Sequence, residues 1–222
     1  MKAIVFDSPG DESILRIGEV TDPSPADHEV LIDVHATAIN RADLLQRRGL
    51  YPPPPDAPEI LGLECSGVIA GAGESSKFAK GDRVMAILPG GGYAERVAID
   101  ERCVFSIPEG LSFSEAAAIP ETYLTAVLNI FLLGGAGAGD KVLVHGGSGG
   151  VGTAAIRLCH EADMTIYVTA GSPERAERCV DLGADAGISY ADEDWAERVH
   201  ELTDGTGLDI ILDPVGAPYL EK

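Results

Sequence analysis

The sequence predicts an α/β chain in two parts, a β-rich domain followed by a parallel sheet with crossover helices. Three observations carry this. Residues 1–120 hold many short apolar runs broken by Gly, Pro and Asp. From Ser112 onward the texture changes, and strand-like and helix-like runs alternate. Between the first such strand and its helix lies a turn made almost wholly of glycine.

Taken in order, apolar runs at 3–6, 14–20, 30–36, 68–70, 83–88, 94–99 and 104–107 read as strands. Residues 41–48 read as a helix among them. Pro52-Pro-Pro-Pro55 reads as a rigid loop, because proline lacks the N–H that a helix interior or a central strand needs. Ser112 and Glu115 have capping-box spacing. Residues 120–133 read as a longer, largely buried helix closed by Gly134 and Gly135. Strands then fall at 142–145, 165–169, 187–190 and 208–213, with helices at 150–161, 173–182 and 192–202. Another helix is expected to begin at Gly216. The expected domains are 1–120 and 121–222.

Composition excludes several classes. The formal net charge of −20 sets the surface against nucleic acid and anionic membranes. The acids are matched by few lysines, a balance that suggests a salt-adapted host. No apolar run of the ~20 residues that a membrane span needs is read. The N-terminal apolar stretch is too short for a signal peptide. A cytoplasmic protein is expected. Cys65, Cys103, Cys159 and Cys179 lie far apart with no C-x-x-C pair, so they read as reduced packing residues.

The glycine turn carries the chemistry. In His145-Gly-Gly-Ser-Gly-Gly-Val-Gly152, residues Gly147, Gly149 and Gly152 have G-x-G-x-x-G spacing. A strand precedes them and a helix follows. A dinucleotide pyrophosphate needs that order: a tight turn from the first glycine, backbone approach at the second, and close helix–strand packing at the third. The helix N-terminus adds free N–H groups and a positive dipole end, with Ser148, Gly150 and Val151 completing the cradle. A doubly wound dinucleotide sheet has strand order 3-2-1-4-5-6. Only four strands are read here, so the fourth is expected at a sheet edge and the domain reads as incomplete. NAD-preferring domains place an acid at the end of the second strand. This chain reads Thr169-Ala-Gly-Ser-Pro-Glu-Arg175 there. Gly171 and Ser172 stand at the strand end, and Arg175 can meet a 2′-phosphate. The expected cofactor is NADPH; an ordinary exposed helix position is the alternative for Arg175.

Further segments complete a pattern: Ala38-Ile-Asn-Arg-Ala-Asp-Leu44, Arg48-Gly-Leu-Tyr-Pro-Pro-Pro54, Ile60-Leu-Gly-Leu-Glu64, Leu88-Pro-Gly-Gly-Gly92, Ala116-Ala-Ala-Ile-Pro120, Val168-Thr-Ala-Gly-Ser172 and Ile211-Leu-Asp213. With the glycine turn they resemble the zinc-free quinone oxidoreductases of the medium-chain dehydrogenase/reductase superfamily, the zeta-crystallin-like branch. The tumour-suppressor-inducible quinone oxidoreductase subgroup is especially similar. The resemblance implies a GroES-like barrel domain followed by a Rossmann domain. Members usually run well past 300 residues, so the chain reads as shortened. Full-length relatives are expected to be homodimers; for this chain that is doubtful.

The resemblance also implies roles. In zinc-dependent members a Cys and a His hold the metal where this chain has Asn40 and Leu63, so no metal is expected. Without a Lewis acid, hydride transfer to a simple ketone loses charge stabilisation, whereas a quinone or an enone spreads the charge itself. The expected activity is NADPH-dependent reduction of a small quinone without flavin. An alkene reductase and a non-catalytic NADPH-binding module are the alternatives. Asn40 and Tyr51 are the expected catalytic residues, near the nicotinamide and the acceptor, with Thr125 helping to hold the nicotinamide end. Tyr190 lies at the adenosine end, and Gly216 follows the fourth strand. Each has a plainer reading: Asn40 as a helix cap, Tyr51 as a wedge for the proline loop, Thr125 and Tyr190 as packing residues. His145 reads as bracing the loop rather than donating a proton. Pro214 departs from relatives that have a small residue or Cys there.

Overall fold

The structure is a computed structural model, and it describes residues 1–219. It divides into two compact units, Met1–Glu121 and Thr122–Lys222.

The first unit is β-rich. Strands β1 (Lys2–Val5) and β2 (Arg16–Glu19) form a two-stranded antiparallel ribbon. Strands β3 (Glu29–Thr37), β4 (Glu64–Ala72), β5 (Arg83–Ile87), β6 (Arg96–Asp100) and β7 (Val104–Ser106) form an antiparallel sheet of order β6-β3-β4-β5-β7. Alternation makes one face of this sheet: Val30, Ile32, Ile69, Val84, Ala86, Val97, Ile99 and Val104 pack into one cluster. Helix α1 (Arg41–Arg47) and the single-turn α2 (Phe113–Ala116) complete the unit. The Ser112–Glu115 capping box forms, with Ser112 Oγ accepting from Glu115 N–H and the Glu115 carboxylate accepting from Ser112 N–H. The four-proline run carries no regular element.

The second unit opens with α3 (Pro120–Ala126), which begins at the boundary and passes into a π-helical segment, Val127–Leu133. A continuous α-helix was expected. The Asn129 side-chain amide donates to the Thr125 carbonyl at 2.8 Å, the acceptor an α-helix reserves for the Asn129 backbone N–H. The ladder widens accordingly, with Gly134 N–H on Asn129 O, five residues back. Burial also differs from expectation. Ala126 and Ile130 are buried, but Leu128, Leu132 and Leu133 are exposed, Leu132 at 71%. The helical run 113–133 is by length and composition apolar enough to cross a membrane, which corrects the reading that no such run exists.

A four-stranded parallel sheet follows, of order β10-β9-β8-β11. Its strands are β8 (Lys141–His145), β9 (Thr165–Ala170), β10 (Ala186–Ser189) and β11 (Ile210–Leu212). Helices α4 (Gly150–Glu161), α5 (Pro173–Asp181) and α6 (Trp195–Leu202) connect them. This is the 3-2-1-4 order expected of the glycine-turn half of a doubly wound sheet. Val142, Leu143, Val144, Ile166 and Val168 are fully buried because helices cover both faces of β8 and β9. Each such side chain contributes roughly 1.5–3 kcal/mol by burial. Strand β11 pairs only with β8 among the described residues, and Ile211 is half exposed. Ala217–Tyr219 make a 3-10 turn, so the expected helix from Gly216 is not seen over them. The rest of that expectation lies outside the described residues.

All four cysteines are free. Cys65, Cys159 and Cys179 are buried, and Cys103 is partly so.

Candidate functional site

Parallel pairing puts the C-terminal ends of β8 to β11 on one sheet edge, where the expected nucleotide residues collect. Beyond β8 the chain turns through Gly146 to Gly149 into α4. The left-handed residue of that turn is Gly146, with φ +77°, not the first motif glycine as expected. Gly147 is required for another reason: a Cβ there would stand 2.4 Å from Val168 Cβ on β9. At Gly152 a Cβ would lie 2.5 Å from Gly146 O and from Gly147 Cα and O, so only glycine lets α4 seat on the loop. Gly149 is the N-cap and brings no side-chain cap, which leaves the first-turn N–H groups open to an anion. Ser148, Gly149 and Gly150 are exposed there, and Val151 is half-buried.

Thr169 and His145 brace the loop from beneath. The Thr169 carbonyl accepts from Gly147 N–H at 2.9 Å, and its hydroxyl lies 3.0 Å from His145 Nδ1. His145 is 2% exposed and packs against the rings of Trp195 and Tyr219. Burial holds it below the ordinary histidine range, with the Asp213 charge opposing. It is a neutral supporting group.

At the ends of β9 and β10, Tyr190 and Arg175 flank Gly171. A Cβ on Gly171 would meet the Tyr190 hydroxyl at 2.9 Å and an Arg175 guanidinium nitrogen at 3.9 Å. Ser172 is the N-cap of α5, its Oγ accepting from Arg175 N–H at 3.4 Å. Both Arg175 and Tyr190 are exposed. Beyond β11, Asp213 accepts from Val215 and Gly216 N–H, and Gly216 takes φ +80°. The threonine beside the glycine loop is Thr122, its Cγ2 2.9 Å from where a Gly150 Cβ would stand. The described bond at Thr125 is its carbonyl accepting Asn129.

In the first unit, Asn40 stands at the N-cap of α1 in a capping box with Asp43, as its plainer reading has it, and its amide nitrogen takes a further partner. Nδ2 donates to Glu64 Oε1 at 2.7 Å. The reach-back comes from Asp43, whose Oδ2 accepts Asn40 N–H at 2.8 Å. Asp43 also accepts from Tyr93 OH at 2.9 Å and from Gly62 N–H at 3.1 Å. Glu64 Oε2 accepts Glu121 N–H at 2.9 Å. Burial pushes the Glu64 and Glu121 carboxyls above the usual range, helped by neighbouring carboxylate charge. Burial and the Asp43 charge push Tyr93 up, keeping its hydroxyl a donor. Tyr51 is 40% exposed, and no hydrogen bond or ring contact among the described residues holds it. Glu64, Asp43 and Tyr93 were not singled out from sequence. A glutamate closing the apolar run Ile60-Leu-Gly-Leu was the available signal, since a carboxylate in such a run must be buried with partners. An apolar cavity of about 560 Å³ adjoins this frame, lined by Leu15, Ile17, Val34, Ile39 and Tyr93 among others.

No group of three His, Cys, Asp or Glu side chains among the described residues is arranged to hold a metal ion. Asn40 and the buried Leu63 offer no zinc donor set.

Two family models match: "Alcohol dehydrogenase GroES-like domain" over residues 26–109 and "Zinc-binding dehydrogenase" over residues 150–222. Human quinone oxidoreductase is 34% identical over the whole chain, which spans 68% of that protein. The Danio rerio synaptic vesicle membrane protein VAT-1 homolog is 40% identical over 90% of the chain, which spans 41% of that protein. Among solved structures, Escherichia coli quinone oxidoreductase complexed with NADPH superposes with TM-score 0.89 at 29% identity, covering all of this chain and 68% of that one. CurK enoyl reductase superposes with TM-score 0.90 at 30% identity, covering 98% of this chain and 68% of that one.

Proposed function

The chain belongs to the medium-chain dehydrogenase/reductase superfamily, and from that premise we propose that it is an NADPH-dependent oxidoreductase that reduces small quinones without metal or flavin. The observation that carries the reading is the glycine cradle. Two of its positions admit no Cβ, and its helix start has no side-chain cap. A pyrophosphate fits such a place. Arg175 beside the β9 end supports NADPH over NADH, because its guanidinium can take the 2′-phosphate and β9 itself ends without an acid, the nearby Glu174 being engaged with Ser172 in the first turn of α5.

When bound, NADPH supplies a hydride. The chain's residues do the rest. The loop N–H groups of Gly150, Val151 and Gly152 hold the phosphates, and Tyr190 borders the adenosine end. Asn40 and Tyr51 bind and orient the reacting end, and Thr125 supports it. A quinone that gains a hydride and a proton becomes a hydroquinone, whose anion is delocalised, so water can deliver the proton. The lack of a zinc donor set supports an acceptor of this kind, which needs no Lewis acid. The likeness to CurK enoyl reductase favours a second reading, reduction of a conjugated alkene.

Steady-state oxidation of NADPH with a small quinone and with an enone tests both. Turnover of the quinone with no added flavin is expected. Turnover of the enone alone favours the second reading, and turnover of neither removes the catalytic proposal.

A further inference from the structure

We propose that Glu64 is a positioning residue that fixes which face of the Asn40 amide meets the reactants. This rests on the reading that Asn40 touches them. An asparagine at an N-cap ordinarily spends its side chain on the helix's own N–H groups. Asn40 keeps its side chain in the capping box with Asp43 and, in addition, turns its amide nitrogen to Glu64, with Nδ2 2.7 Å from Oε1. Asp43 meanwhile holds the Asn40 backbone N–H, and Tyr93 and Gly62 hold Asp43. Backbone and side chain of one residue are thus gripped by two separate carboxylates.

The chemistry of the grip sets the orientation. An ionised carboxylate only accepts hydrogen bonds. The amide can therefore present Nδ2, and not Oδ1, to Glu64, and Oδ1 stays on the side of the α1 N-terminus, in the capping box with Asp43. Glu64 itself cannot swing. It is 1% exposed, its second oxygen is taken by Glu121 N–H, and its own carbonyl accepts Thr37 Oγ1 at 2.7 Å. Protonating Glu64 removes the rule, since a neutral carboxyl can donate to Oδ1 and the amide can flip. The titratable groups around it are Asp43 on α1, Glu121 at the start of α3, Cys65 beside it on β4, and Tyr93. Desolvation favours the proton on Glu64 most, the hydrogen bonds from Asn40 and Glu121 oppose it, and the Asp43 charge adds to desolvation, with a net upward shift.

The test compares Asn40→Ala, Glu64→Gln and the double variant with the wild-type chain. A glutamine keeps the volume but has one acceptor for two donors. Glu64→Gln should lower kcat by roughly 10- to 100-fold, with a smaller change in the KM for NADPH. It should cost nothing more in the Asn40→Ala background, because the two residues act as one unit. Losses that multiply would show Glu64 acting apart from Asn40 and overturn the proposal, as would an unchanged kcat in Glu64→Gln. An undiminished kcat in Asn40→Ala instead overturns the role of Asn40, and the proposal with it. A readout free of turnover is the ¹⁵N signal of the Asn40 side-chain amide, followed against pH in the free chain. It should titrate with a midpoint above the usual glutamate range and stop doing so in Glu64→Gln. A signal that ignores pH, or the same titration in the variant, overturns the proposal.

Discussion

The two units build their candidate sites in opposite ways. At the glycine loop the working parts are backbone N–H groups, and the residues that make the place are short stretches near in sequence. In the β-rich unit the working parts are side chains, joined by bonds that span long stretches of chain: Asn40 to Glu64, Asp43 to Tyr93, Glu64 to Glu121. The first kind of site fails when an atom is added, and the second when a charge or a donor is changed.

The sharpest way to break that contrast is to add a side chain at the loop. Gly152→Val should reduce NADPH affinity on the order of 100-fold or more, because the new atoms meet backbone at 2.5 Å. Fluorescence titration reads it, with circular dichroism to confirm the fold. Gly149→Ala should cost much less, since its nearest neighbour, Gly146 O, stands 3.3 Å from the added carbon. Equal losses would mean that close packing is not what these glycines serve.

Next in size is a charge reversal at the edge of the same site. Arg175→Glu should weaken NADPH by about 10- to 100-fold and leave NADH nearly unchanged. Equal weakening of both would remove the 2′-phosphate assignment. Ser172→Ala should cost about 1 kcal/mol of stability in urea, the usual price of a lost helix cap; a change within error would show the 3.4 Å bond to Arg175 N–H to be idle.

Titration separates the units by sign. His145 is held below its ordinary value of 6.5 in the folded chain, so the unfolded chain takes the proton first. Its contribution is whole above pH ~6.5 and is lost as pH falls toward the folded value. Glu64 and Glu121 are raised above 4.5. Their contribution is whole below pH ~4.5 and is lost as pH rises through the folded values. His145→Gln should therefore flatten the loss of Tm as pH falls below ~6.5. Glu64→Gln should change the slope in the other direction.

The same contrast explains what the sequence could reveal. The strand–glycine–helix order lies within one short stretch, and the parallel sheet emerged with the expected strand order. The left-handed turn fell at Gly146 because two adjacent glycines, Gly146 and Gly147, make the register of the turn ambiguous. The Asn40 frame was only half legible. Asn40 and its helix were read, but the partner that claims its amide lies 24 residues on and comes near only once β4 is paired with β3. The π segment turned on one side-chain bond, from Asn129 to Thr125, against a sequence that is good α-helix by its periodicity. The exposure of Leu128, Leu132 and Leu133 was misread because apolar residues were assumed to be covered.

The most direct test of the central claim is titration of the wild-type chain with NADPH and with NADH, followed by nucleotide fluorescence. Saturable association with NADPH, and weaker association with NADH, is the predicted result. No association with either nucleotide would contradict the account at its base.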